Sequence, residues 1–144
     1  EFGWRIENYV TGIGKTSHLI IDENLNYKNK SYSLNNRFAR DDSEIVPLKI
    51  AKHKFKEEFL STVDVIVGHG LDNDFYVLRK NGIPLDVKYL DTADIGSVIM
   101  YENDKVSLER LLTHLRIKCD TNILHNAAND VEFILKAFFE MGEL

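Results

Sequence analysis

Apolar residues change their spacing several times along the chain, and each change predicts an element. Ser17-His-Leu-Ile-Ile-Asp22 is a short apolar run with β-branched residues and predicts a buried strand. Asn24, Asn26, Asn29, Asn35 and Asn36 follow, so an irregular connection is expected over about 22–46, with a short strand around Tyr32. Pro47 suits the first turn of a helix running to about Ser61. Leu48, Ala51, Phe55, Phe59 and Leu60 form its apolar face, and Lys49, Lys52, Lys54 and Lys56 lie mostly off that face. Such a lysine run reads first as a solvated surface, with phosphate steering as the alternative.

Val63-Asp-Val-Ile-Val67 predicts a second strand, Gly68-His69-Gly70 a sharp turn, and the residues through Lys80 an amphipathic helix closed by Asn81-Gly82. Val87-Lys-Tyr-Leu-Asp91 is a third strand, and Thr92 to Tyr101 a short helix with Asp94 in its first turn. Ser107 caps a helix from Leu108 to Arg116, whose Leu108, Leu111, Leu112 and Leu115 form one core-facing stripe. The last helix opens at His125-Asn-Ala-Ala-Asn-Asp130, and behind it Val131, Ile134, Leu135, Phe138 and Phe139 recur at helical spacing. Asn126 fits the N-cap, which leaves His125 outside the helix on a loop. Strands alternating with helices in the second half, and an antiparallel portion from the first strands, predict an α/β domain.

With 144 residues, 44% hydrophobic and 28% charged, the chain reads as one domain, 1–144, able to bury a real core. No apolar run approaches the length of a membrane span, and the first residues lack the apolar core of a signal peptide. Cys119 is the single cysteine, which excludes an internal disulfide and fits a reducing compartment. A formal charge of −5 argues against charge-driven, non-specific nucleic-acid binding. It leaves room for an enzyme acting on nucleic acid, because bound divalent cations reverse the local field. The chain opens on Glu-Phe-Gly-Trp without an initiator methionine and is expected to be a piece of a longer protein. Glu-Phe is also what a common cloning site encodes, which leaves the native status of Glu1 open.

In an α/β sheet, functional groups gather beyond the carboxyl ends of the strands. Asp74 comes five residues after His69, Asp130 five after His125, and Asp91 ends a strand. Nearby Lys and Arg are too few to pair all these acids, and a divalent cation is the usual remedy for clustered carboxylates. Oxygen ligands without cysteine indicate a hard ion, Mg²⁺ or Mn²⁺. A plainer reading of the same residues makes His125 a capping-loop residue and Asp130 a first-turn carboxylate favoured by the helix dipole.

The three segments together resemble the DEDDh branch of the 3′–5′ exonuclease superfamily, which has a ribonuclease H-like fold with a mixed central sheet flanked by helices. His125-Asn-Ala127-Ala-Asn-Asp130 matches that family's His-x-Ala-x-x-Asp motif, Gly68-His69 with Asp74 its middle motif, and Asp91-Thr92 its strand-end Asp-Thr. The chain resembles in particular fungal DEDDh-like proteins, through His18-Leu-Ile-Ile-Asp-Glu-Asn24 and the His-Asn-Ala-x-Asn-Asp signature. Some of those proteins are linked to messenger-RNA export. The departure lies in the first motif, Asp-x-Glu. Glu1 falls where its Glu belongs, its Asp would precede the first residue, and Gly12 replaces a usual Glu in Thr11-Gly12-Ile13-Gly14.

The resemblance implies that Glu1, Asp74, Asp130 and the upstream Asp hold two Mg²⁺ or Mn²⁺ ions, and that His125 accepts a proton from the attacking water. It implies release of nucleoside monophosphates from the 3′ end of single-stranded RNA or DNA, in the cytoplasm or nucleus. His69, Phe75 and Asn126 are the expected substrate-positioning residues, with a structural role for His69 as the alternative. Asp91 is expected to anchor a turn rather than bind metal. Tyr32, Arg37, Phe38, Arg40 and Phe75 are candidates for a strand-binding groove, beside ordinary core and surface roles. Without the first Asp, these 144 residues are expected to show little nuclease activity. The rival reading is a catalytically impaired domain kept as an RNA-binding or protein-interaction module.

Overall fold

A computed structural model describes residues 1–24 and 43–143. Tyr32, Arg37, Phe38, Arg40 and the strand expected near them lie outside the described residues. The architecture is the mixed α/β type expected of a ribonuclease H-like fold, with its strands paired in one three-stranded and one two-stranded sheet. By packing, the chain divides into two compact units.

The first unit comprises Glu1–Thr62 and Asp120–Glu132. β1 (Phe2–Glu7) pairs antiparallel with β2 (Gly14–Ile21), Trp4 opposite Ser17, and β3 (Glu44–Val46) pairs parallel on the far side of β2. The apolar-run criterion did not pick out β1; its signal is the alternation Phe2, Trp4, Ile6, of which only Trp4 is deeply buried. At the hairpin, the Asn8 side chain accepts the Val10 and Thr11 N–H groups. Trp4, Leu19, Ile20, Ile21, Ala51, Phe55 and Phe59 build the core.

α1 (Leu48–Lys54) begins after Pro47, which has no capping side chain; the Glu23 carboxylate takes the Leu48 N–H instead, at 3.0 and 3.2 Å. The helix expected to reach Ser61 changes character midway. Phe55–Leu60 forms a π-helical turn, with the Ser61 N–H reaching back to the Lys56 carbonyl. This wider turn lets Phe55 and Phe59 both pack on Trp4, with ring centroids 5.6 and 6.2 Å away.

The second unit comprises Val63–Cys119 and Phe133–Leu144. β4 (Val65–Gly68) and β5 (Lys88–Asp91) run parallel, with Gly68 opposite Asp91. α2 (Leu71–Lys80) connects them, and α3 (Thr92–Ile99) and α4 (Leu108–His114) follow. The Ser107 hydroxyl accepts the Arg110 N–H, the cap expected from sequence. Leu111 and Leu112 are fully buried, whereas Leu108 and Leu115 flank them half-buried.

α5 (Ala127–Gly142) contributes its residues through Glu132 to the first unit and the rest to the second. Its deeply buried positions are Ala128, Phe133, Ala137 and Met141; the expected face of Val131, Ile134, Leu135, Phe138 and Phe139 is half-buried. Phe133, Ala137 and Met141 recur at a four-residue step, so the deepest stripe of the second half of α5 runs through residues the periodicity ranked low. No helix among the described residues is long and apolar enough to cross a membrane.

Candidate active site

The first unit places Glu1, His125, Asn126 and Asp130 around the opening of α5. Asn126 is the expected N-cap: fully buried, its side-chain oxygen accepts the Ala128 and Asn129 N–H groups, each at 3.1 Å. His125 precedes the helix with φ +67°, a left-handed conformation that costs a β-carbon-bearing residue energy. That turn aims its N–H at Asp130 Oδ1, 3.1 Å away, while the imidazole is exposed.

Glu1 lies across the same helix end. Its Oε1 accepts the Ala127 N–H at 3.1 Å, and its Oε2 lies 2.9 Å from His18 Nε2. Gly3 makes this approach possible, because a β-carbon there would stand 2.3 Å from the Ala127 carbonyl carbon. Thr16 donates to Glu132 at 3.0 Å and ties β2 to the same helical turns.

The two carboxyl groups respond oppositely. Desolvation pushes Glu1 up, but the hydrogen bond to His18 and the Ala127 N–H act against it, and the carboxyl lies below its usual range. Asp130 is raised to about 6, first by desolvation, with the Glu1 charge adding to it and His125 only partly offsetting it. Two neighbouring carboxyls, one held ionised and one resisting ionisation, fit a divalent cation as two of its oxygen ligands. Among the described residues, neither unit by itself gathers three His, Cys, Asp or Glu side chains as a metal-holding group.

In the second unit the strand ends are organised by Asp91. Its oxygens accept N–H groups from Gly70, Ala93 and Leu71 at 2.8, 2.9 and 3.0 Å, so it anchors the turn after β4 and caps α3 as expected. Burial would raise its pKa, but these donors and Lys105 lower it. Lys105 Nζ lies 3.0 to 3.2 Å from Asp72, Asp91 and Asp94. Bases here are fewer than acids, as expected: one lysine, remote in sequence on the α3–α4 connection, is shared by Asp91 at the strand end and by Asp72 and Asp94 in first helical turns.

His69 Nδ1 lies 3.0 Å from the Thr92 hydroxyl. That hydroxyl gives its single proton to the Gly68 carbonyl at 2.9 Å, so it accepts from His69 and fixes the ring proton on Nδ1. Burial lowers the His69 pKa, against the Val106 carbonyl and the Asp91 charge. Asp74 reaches solvent on the first turn of α2 and has no hydrogen bond or ion pair among the described residues. Desolvation and then the Asp91 charge raise its pKa. Phe75 is buried, its ring edge-on to Tyr89 at 4.9 Å.

Sequence reading thus located His125, Asn126, Asp130 and Asp91 in their local settings and missed His18, Gly3 and Lys105. A histidine within the apolar run of β2 was the available signal for His18, since a buried imidazole needs partners.

The α/β fold, with acids and histidines at strand ends and helix starts, is consistent with a ribonuclease H-like domain. Residues 3–141 match the family described as DNA polymerase III subunit epsilon-like, C-terminal domain, and the chain belongs to this DEDDh exonuclease family. The match covers His69, Asp74, Asp91, His125 and Asp130, and begins two residues after Glu1. Nucleases of the family generally use divalent metals. Comparison with curated proteins and with solved structures gave no match.

Proposed function

We propose that this chain is a Mg²⁺- or Mn²⁺-dependent 3′–5′ exonuclease domain that releases nucleoside monophosphates from the 3′ end of RNA or other single-stranded nucleic acid. The observation that carries the proposal is the opening of α5, where Asp130, with its pKa raised to about 6, is bound by the His125 backbone and faces the charge of Glu1. Glu1 and Asp130, with Asp74 on motif grounds, are the metal ligands. Bound divalent ions supply the positive charge that an in-line phosphodiester displacement requires.

The residues' own work is positional and acid–base. The left-handed turn at His125 presents an exposed imidazole whose ring nitrogen accepts the proton of an attacking water. Asn126 holds that turn through its two cap bonds. His69, Phe75 and Asn126 position the substrate, Phe75 and Asn126 by fixing the backbone around them. A nucleic-acid 3′ end is the partner, a messenger-RNA-export protein a further one, and cytoplasm or nucleus the compartment.

A second reading, a catalytically impaired RNA-binding or protein-interaction domain, draws on the lack of a three-residue metal-holding group within either unit among the described residues. The test is mononucleotide release from 5′-labelled single strands by the full-length protein, with Mn²⁺ or with EDTA. His125→Ala and Asp130→Asn should each lower the rate by about 100-fold or more. Activity surviving both substitutions contradicts the assignment. RNA binding without any cleavage supports the second reading.

A further inference from the structure

His18 is 1% exposed in the middle of β2, between Ser17 and Leu19, and no step proposed above uses it. Its two nitrogens face different partners. Nδ1 lies 2.7 Å from the Ser43 hydroxyl, and Nε2 lies 2.9 Å from Glu1 Oε2. An ionised carboxylate can only accept, so the proton sits on Nε2; Nδ1 then accepts from Ser43. The other Glu1 oxygen is taken by the Ala127 N–H at 3.1 Å. Glu1 is therefore gripped at both oxygens, by a buried strand residue and by the first amide of α5.

We infer that His18 is a positioning residue: with Ser43 behind it, it fixes the Glu1 carboxylate against the α5 amino end, in the orientation that pairs it with Asp130. The inference rests on the metal-binding reading for its consequence, but the grip itself is a property of the metal-free protein. A surface carboxylate would otherwise sample several rotamers, and each ion bound would have to stop that motion. Removing the partner that orients a ligand typically weakens metal binding without removing any ligand.

The test compares His18→Gln with His18→Asn in the full-length protein. The glutamine amide nitrogen can occupy the place of Nε2 and still donate to Glu1; asparagine is too short and can satisfy only the Ser43 side. Two readouts are taken. Hydrogen exchange of the Ala127 amide in metal-free buffer should quicken about 10-fold in His18→Asn and stay near wild type in His18→Gln, with neighbouring amides of α5 unchanged. Mn²⁺ affinity, followed by the loss of free-ion electron-spin resonance signal, should fall about 10-fold in His18→Asn and be largely kept in His18→Gln. Equal behaviour of the two variants, or acceleration of every α5 amide together, overturns the positioning role. A wild-type protein that binds no Mn²⁺ while Ala127 still separates the variants refutes the metal reading and leaves the grip on Glu1 standing.

Discussion

Two helices of this protein open beside an aspartate, and the two aspartates behave in opposite ways. At the start of α3, Asp91 is 6% exposed, yet three backbone N–H groups and the Lys105 ammonium, 3.2 Å away, surround its oxygens. Its pKa falls although burial alone would raise it. At the start of α5, Asp130 receives one backbone N–H, from His125; desolvation first, and then the charge of Glu1, lift its pKa to about 6. Desolvation acts on both carboxyls, and the number of donors set against it separates the one whose pKa falls from the one whose pKa rises. Asp91 is spent on architecture. Asp130 keeps an electrostatic deficit that a cation can fill.

Substitutions can break this comparison, beginning with the largest effect. Asp91→Ala should cost about 3–5 kcal/mol in urea unfolding, because it leaves three amides without their acceptor and removes the buried one of the three carboxylates around Lys105. Asp91 has a lowered pKa, so its stabilising contribution is present above the unfolded value of 3.8 and is lost as pH falls further. Loss of less than 1 kcal/mol would mean that the strand-end cluster is not the anchor described here.

Asp130→Asn should act in the opposite direction. With a folded pKa raised from 3.8 to about 6, Asp130 stabilises most below pH 3.8, and that contribution disappears as pH rises through about 6. In EDTA at pH 8 the asparagine variant should therefore be more stable than wild type, on the order of 1–2 kcal/mol, and its stability should vary less between pH 4 and 7. Destabilisation at pH 8 would place Asp130 in the same structural class as Asp91. Asp72→Asn, at the exposed end of the Lys105 cluster, should change stability by less than about 0.5 kcal/mol, since exposed ion pairs contribute little. A larger loss would show that the three acids around Lys105 act as one unit.

What the sequence made legible follows the same division. Local chemistry was readable: the Asn126 and Ser107 caps, the Asn81-Gly82 close and the Asp91 anchor each depend on residues a few positions apart. Long-range partners were not. His18 meets Glu1 and Ser43 across 17 and 25 residues, and Lys105 reaches Asp72 across 33, so neither pairing leaves a mark on local spacing. The π-helical turn at Phe55–Leu60 answers to packing on Trp4, which periodicity within the helix does not encode. Gly3 reads as a weak strand residue until Ala127 is seen against it.

Asp130 sits in a setting that resists its charge, and on the proposed function a bound cation relieves that resistance. Carbon-13 NMR of the Asp130 side-chain carboxyl, titrated in metal-free buffer and again with Mg²⁺, measures this directly. The expected result is a midpoint near pH 6 without metal, displaced to clearly lower pH by Mg²⁺. A midpoint near the ordinary value of 3.8, indifferent to Mg²⁺, would contradict the account.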